Sequence, residues 1–174
     1  MIKTGLMIKI CILSHPEGLV THFFSNLYDK YNGKSVYQDF SGLGVGITSI
    51  KYEINKKQVE IILVHTIGQI LFNRLIPYYH GASGALIFFT RNNTSSFETT
   101  RHFYQYFRKI ISDSKIPVTF IDILDKGEEI LIEDEEILEN NSNVGYYELS
   151  SNDIQLFLKI FEKFVERVFL VEDN

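Results

Sequence analysis

Five histidines, one cysteine and one strongly acidic stretch are the first places to look for chemistry in this chain of 174 residues. His15, His22, His65, His80 and His102 are scattered, and none forms a HExxH or comparable metal-binding pair. No GxSxG motif and no Ser-His-Asp arrangement is visible, so nucleophilic hydrolysis has no starting point. His65 follows the apolar run Val59-Glu60-Ile61-Ile62-Leu63-Val64 and opens the stretch His65-Thr66-Ile67-Gly68-Gln69. An imidazole there would suit a transition metal, but no second His or Cys has ligand spacing to it, and no metal site is expected. Cys11 lies inside an apolar run and reads as a small buried hydrophobe. One cysteine makes no internal disulfide, so a reducing, cytoplasmic compartment is expected. Glu128, Glu129, Glu133, Asp134, Glu135, Glu136 and Glu139 follow Lys126 without a further base. They suit a solvated helix face or a docking face for a basic partner. Arg101, His102, Arg108 and Lys109 form a modest basic patch that could meet an acidic patch on another copy.

Composition sets the frame in which those residues must be held. The length suits one domain, over residues 1–174, with a real core. Hydrophobic residues make up 45% and charged residues 22%, values ordinary for a soluble globular chain. A net charge of -5 favours neither nucleic acid nor an anionic membrane surface. No apolar run approaches the ~20 residues that span a bilayer. Lys3 and Lys9 interrupt the N-terminal apolar segment, so no signal peptide is expected.

The apolar pattern then supplies the elements. Leu6 to Leu13 is a strand, and Ser14-His15-Pro16-Glu17-Gly18 is a turn cluster. From Leu19 the spacing of Leu19, Phe23 and Leu27 predicts a helix. Asp29 to Gly46 is polar and glycine-rich and reads as a long loop. Ile47–Ile54 and Val59–Thr66 are strands joined by Asn55-Lys56-Lys57. Gly84–Thr90, Val118–Leu124 and Gly145–Leu149 are further strands. Ser95–Ile111, Glu128–Asn140 and a last segment bearing Ile154, Phe157, Leu158, Phe161, Val165 and Val168 are helices. Ser151 or Asn152 is placed to cap the last one. Alternating strands and helices imply an α/β fold with a mainly parallel sheet covered on both faces. The expectation is six strands, one antiparallel edge strand at Ile47–Ile54, and about five helices.

The two stretches Thr66-Ile67-Gly68-Gln69-Ile70-Leu71-Phe72 and Tyr78-Tyr79-His80-Gly81-Ala82, set between two strands, carry a resemblance. They resemble the DTAGQxxF and YYRGA motifs around switch II of the Ras-like small GTPases, most of all the Rab branch. The order of elements is also that of this family, over nearly the whole chain. The resemblance implies a P-loop small-GTPase-like fold. It also implies candidate nucleotide-binding positions at Ser14, Gly18, Thr21, Gly68, Asp125 and Ser150, and a candidate catalytic position at Gln69. Gln69 stands where the family orients the attacking water.

Set against the family motifs, this chain has lost most of the groups that do the chemistry. The pattern GxxxxGK[ST] falls on Ser14 to Thr21, where only Thr21 matches. Leu19 replaces the second glycine, Val20 replaces the phosphate-binding lysine, Pro16 removes an N–H donor and Glu17 adds a negative charge. In switch I, Gly42 stands where the metal-binding threonine is expected, beside Ser41. In switch II, His65 replaces the metal-linked aspartate, and Mg2+ prefers oxygen ligands. In the base-reading motif, Asp122 and Ile123 replace asparagine and lysine, and Asp125 is left for the guanine-reading aspartate. Glu148-Leu149-Ser150-Ser151-Asn152 keeps the outline of ExSAK without its lysine.

The resemblance therefore implies a pseudo-GTPase acting as a protein-binding or regulatory subunit, with weak or no GTP binding and no hydrolysis. No cofactor is expected. The alternative is a divergent GTPase that still binds GTP or GDP with Mg2+ through Thr21, Ser41, Asp125 and Ser150 and uses Gln69. A third possibility is a purely structural partner in a membrane-traffic or polarity complex. The family's partner surface maps to Ser41–Tyr79, with Ile70, Leu71, Phe72, Tyr78 and Tyr79 as apolar contact residues. A homo- or hetero-dimer is compatible with this. The chain ends Val171-Glu172-Asp173-Asn174, so the prenylated cysteines typical of Rab proteins are not expected.

Overall fold

The run Gly84–Phe89 forms a strand that is buried at every residue. A strand covered on both faces reads as an unbroken apolar run instead of alternating, because each face meets its own core. In the computed structural model, which describes residues 5–16, 18–38, 44–66, 76–124 and 143–172, this strand lies in a seven-stranded sheet. The strands are β1 (Leu6–Ser14), β2 (Lys34–Gln38), β3 (Val45–Ile54), β4 (Lys57–Thr66), β5 (Gly84–Phe89), β6 (Val118–Leu124) and β7 (Val144–Ser150). The helices among the described residues are α1 (Thr21–Tyr31), α2 (Ile76–Tyr79), α3 (Thr94–Ile110) and α4 (Ile154–Glu172). The helix expected at Glu128–Asn140 lies outside the described residues.

The sheet order is β2-β3-β4-β1-β5-β6-β7. All pairs from β4 to β7 are parallel, whereas β3 is antiparallel to both β2 and β4. This corrects two expectations. The sheet has seven strands rather than six, and β3 is one strand in from the edge. The extra strand is Lys34–Gln38, inside the expected loop. Its residues Lys34 and Ser35 are exposed, and its register with β3 shifts between Ser35 and Tyr37. A short, polar, bulged edge strand has no hydrophobic alternation to announce it. The β3–β4 turn needs only Asn55 and Lys56, both at positive φ (51° and 63°). That geometry suits the two-residue turn whose twist matches a hairpin, so Lys57 belongs to β4.

Side-chain alternation splits the core in two. Ile8, Ile10 and Ile12 of β1 face α1 and α4, packing with Phe23, Phe24, Leu27, Phe157, Phe161 and Val168. Cys11 and Leu13 face the other way, with Ala85, Ile87, Phe89, Tyr79, Phe103 and Phe107. Each such aromatic, once buried, stabilises the fold by roughly 1.5–3 kcal/mol. Burial pushes the Cys11 thiol up to about 12, although nearby Lys9 lowers it slightly, so the thiol is chemically inert at neutral pH.

Helix ends follow local hydrogen bonding. Asn93 caps α3 by accepting from the Ser96 N–H. Asp153, not Ser151 or Asn152, caps α4, accepting from the Leu156 N–H at 2.9 Å. The difference is small in sequence, but the side chain that reaches that N–H is the one three residues before it. α4 lies against the start of β5 where Gly84 leaves room. A Cβ there would stand 2.8 Å from the Phe164 ring and 2.9 Å from Val168 Cγ2. We expect Gly84→Ala to destabilise the protein by about 1–3 kcal/mol in urea unfolding, because it overpacks this contact. An unchanged midpoint would mean that α4 does not pack on β5 in this way.

Candidate functional site

The topology places one crevice where a ligand site belongs. From β1 the sheet extends to β4, β3 and β2 on one side and to β5, β6 and β7 on the other. In open α/β sheets, ligands sit outside the carboxyl ends of the strands at such a switch point. There lies a cavity of about 260 Å³ lined by Ser14, Gly18, Val20, Thr21, Phe24, Ser25, Tyr28 and His65. Ser14 is the last residue of β1, His65 is next to last in β4, and the others come from the β1–α1 turn and the first two turns of α1.

The β1–α1 turn is held by its own bonds. The His15 N–H donates to the Phe88 carbonyl at 3.2 Å, and the Ser96 hydroxyl donates to the His15 carbonyl at 2.5 Å. The Leu19 N–H reaches the Pro16 carbonyl and the Thr21 N–H reaches the Gly18 carbonyl, each at 3.3 Å. Gly18 has φ +80°, which only glycine adopts without strain. Val20 is the N-cap of α1, has no capping side chain, and is buried in the core.

His65 defines the other wall. Its ring meets the Phe24 ring edge-on, with centroids 4.3 Å apart. Its Nδ1 lies 3.5 Å from the Tyr28 hydroxyl, and its Nε2 is buried with no partner among the described residues. Burial lowers its pKa from 6.5 to about 4, so the imidazole is neutral at physiological pH. Among the described residues, the lining contains no lysine, arginine, aspartate or glutamate. Its surface consists of hydroxyls, one neutral imidazole and apolar walls.

Of the candidate nucleotide positions, the structure brings Ser14, Gly18 and Thr21 together in this cavity. Ser150 is exposed at the end of β7 and is not in the lining. Gly68, Gln69, Ile70, Leu71, Phe72 and Asp125 lie outside the described residues, as do Glu17, Ser41 and Gly42. Tyr78 is half-buried, but Tyr79 is 1% exposed and packs edge-on against Phe107. Tyr79 is thus a core residue, which corrects its assignment as a partner contact: α2 is a single turn and can face the core with only one of its two tyrosines.

Sequence reasoning missed two arrangements. The first is the aromatic wall of Phe24 and Tyr28, whose spacing on α1 marks them only as a helix face. The second stands at the carboxyl ends of β5 and β6. Arg91, just after β5, donates through Nε to Asp122, the residue that the resemblance would set at the asparagine position of the base-reading motif. Its backbone N–H also reaches Asp122, at 3.1 Å, and its Nη2 reaches the Tyr146 hydroxyl at 2.6 Å and Glu148. The Tyr146 hydroxyl donates to Asp122 at 3.1 Å. Asp122 is fully buried and the Arg91 side chain is 12% exposed. A buried carboxylate is tolerable only with such partners. Near the same end of the sheet, the His22 ring lies 2.5 Å from the Ser151 carbonyl, joining α1 to the turn after β7.

With the geometry in place, comparison with known proteins gives one family. The model of the Ras family matches residues 18–170. No curated protein matches the chain.

Two outcomes follow from these contacts. Above pH 6.5, His65 is neutral both folded and unfolded. As pH falls toward 4, the unfolded chain binds a proton that the folded one refuses, so stability is lost across that window, by up to about 3 kcal/mol. In His65→Phe this part of the acid limb should flatten in unfolding curves taken from pH 7 to 4. An unaltered limb would place the His65 ring in solvent. Asp122→Ala, which leaves the largely buried guanidinium to the partly exposed Glu148 as its charge partner, should cost about 3–5 kcal/mol. The double variant Asp122→Leu with Arg91→Met should recover much of that in the same assay.

Proposed function

Because the chain belongs to the Ras family of GTP-binding small GTPases, we propose that it is a pseudo-GTPase, using the fold as a protein-binding or regulatory module. It holds GTP weakly or not at all and does not hydrolyse it. The observation that carries this reading is the cavity wall. Phosphoryl transfer needs fixed positive charge against the phosphates and an oxygen-held Mg2+. At the positions where the family supplies them, this chain has Val20, buried in the core, and a neutral His65. Among the described residues of the lining there is no carboxylate for Mg2+, which takes oxygen ligands and commonly a carboxylate. Asp122, at a base-reading position, is committed to Arg91 and Tyr146.

The partner surface in this reading is the stretch Ser41–Tyr79. Within it, Ile47 of β3 and Ile62 of β4 are half-buried on the sheet face shared with Cys11 and Leu13, and Tyr78 of α2 is half-buried. The partner is a protein. The net charge of -5 gives no support to nucleic acid. No described helix is long and apolar enough to cross a membrane.

Each charge-assisted contact to a nucleotide is worth ~1.5–3 kcal/mol. Loss of the lysine, the metal ligands and the base-reading groups should together cost roughly 5 kcal/mol or more, about 3,000-fold in affinity. The protein is therefore expected to purify without nucleotide, to bind Mg-GTP and Mg-GDP no better than micromolar in calorimetry, and to show no turnover that Gln69→Leu alters. A submicromolar, Mg2+-dependent constant, or turnover abolished by Thr21→Asn, would replace this reading with that of a divergent GTPase.

A further inference from the structure

We propose that β7 is a pairing edge, along which a second copy of this chain joins its own β7 in antiparallel register, so that one sheet runs through both copies. The sheet has two edges, and they are built differently. β2 is five residues long, carries the exposed Lys34 and has a shifted register with β3. Short length, a lysine and a bulge are the devices by which a sheet edge turns away another strand. β7 has seven residues, Val144–Ser150, with no proline and no lysine, and its register with β6 is regular over its whole length. Among the described residues it pairs with β6 alone. Two hydrogen bonds fix which way its backbone points. The Val118 N–H donates to the Asn143 carbonyl at 3.0 Å, and the Ser151 N–H donates to the Leu124 carbonyl at 3.4 Å. In a parallel ladder alternate residues face the neighbouring strand, so Gly145, Tyr147 and Leu149 turn their backbone groups toward β6. Val144, Tyr146 and Glu148 turn theirs outward, as does the Ser150 N–H, while the Ser150 carbonyl accepts from the Asp153 N–H at 2.9 Å. A row of outward donors and acceptors is a template for one more strand.

The residues of the edge select a second copy as the occupant. A two-fold axis at Tyr147, the middle residue of the strand, uses β7 from end to end. It sets Val144 opposite Ser150, Gly145 opposite Leu149, Tyr146 opposite Glu148 and Tyr147 opposite itself. Tyr147 faces β6 with its backbone, so across the axis it stands at a non-hydrogen-bonded position. Facing side chains come closest there, and an aromatic pair is favourable. Tyr146 and Tyr147 are half-buried on opposite faces of the sheet, so each keeps surface for a partner. Glu148 is the one charged residue of the strand. In this register it meets a tyrosine and not its own copy, and Arg91 already holds its charge. An axis at Glu148 would set two carboxylates opposite each other and shorten the overlap.

The test combines sedimentation velocity with amide hydrogen exchange on the full chain. Between about 1 μM and 1 mM the monomer should pass into a dimer, the range of a small, reversible interface. Across that range the Val144, Tyr146 and Glu148 amides should slow by roughly tenfold or more. The Gly145, Tyr147 and Leu149 amides, bonded to β6, should be slow throughout, so the protection gained falls on every second residue. Tyr147→Lys, which sets two like charges at the axis, should weaken the dimer by about tenfold or more, and Tyr147→Phe should leave it in place. The three amides bonded to β6 report in each variant that the strand is still folded. A chain that stays monomeric at about 1 mM overturns the proposal. So does a dimer whose protection falls elsewhere, or one that Tyr147→Lys does not weaken while those amides stay slow. Slow exchange of the outward amides already in the monomer would show that the edge is covered within the chain, and overturns it as well.

Discussion

Phe24 is the contact on which the rest of this structure depends. It belongs to the core and to the cavity wall at once. Its ring lies 4.3 Å from His65, 5.3 Å from Phe157, 5.8 Å from Phe88 and 6.1 Å from Tyr28, measured between centroids. Through those neighbours it joins α1 to the ends of β4 and β5 and to the first turn of α4. A core this closely packed transmits any change in one wall to the others. The first turns of α1 therefore serve two ends: they close the hydrophobic core from above, and they shape the floor of the crevice.

That arrangement sets the electrostatics. A phosphate site keeps a full positive charge in a low-dielectric crevice, and such a charge is tolerable only while its counterion is bound. Here the equivalent position is filled by Val20, and the facing residue is an imidazole that burial keeps neutral. No described residue of its lining carries a charge that needs a counterion. The strong charges of this end of the sheet lie instead in the Arg91–Asp122–Glu148 group, where opposite signs are paired within the protein.

The outer face of α1 is tied down in the same manner. Lys30 and Tyr31 both donate to Glu162 of α4, at 2.7 and 2.6 Å. The Tyr31 ring packs on Tyr52 of β3. These partly exposed pairs contribute little singly. They do fix the rotation of α1 about its axis, and that rotation determines which residues of its first turns reach the crevice.

What the sequence by itself determined is the layered fold and the identity of most core positions. Runs such as Gly84–Phe89 and the spacing of Phe157, Phe161, Val165 and Val168 leave few alternatives once burial is required. It also singled out Val20 and His65 as the positions where the resemblance to the family leads one to expect a lysine and an aspartate. Other features needed the tertiary structure. β2 is held by β3 and by little of its own, so no local pattern reveals it. Tyr78 and Tyr79 are adjacent and chemically alike; only the packing of a single-turn helix decides that one is core. Arg91 and Asp122 are 31 residues apart and become partners because β5 and β6 are neighbours in the sheet. The aromatic wall is decided in the same way. Phe24, Tyr28 and His65 come from two elements, and their meeting depends on the angle at which α1 leaves β1, a property of the packed sheet and helix together.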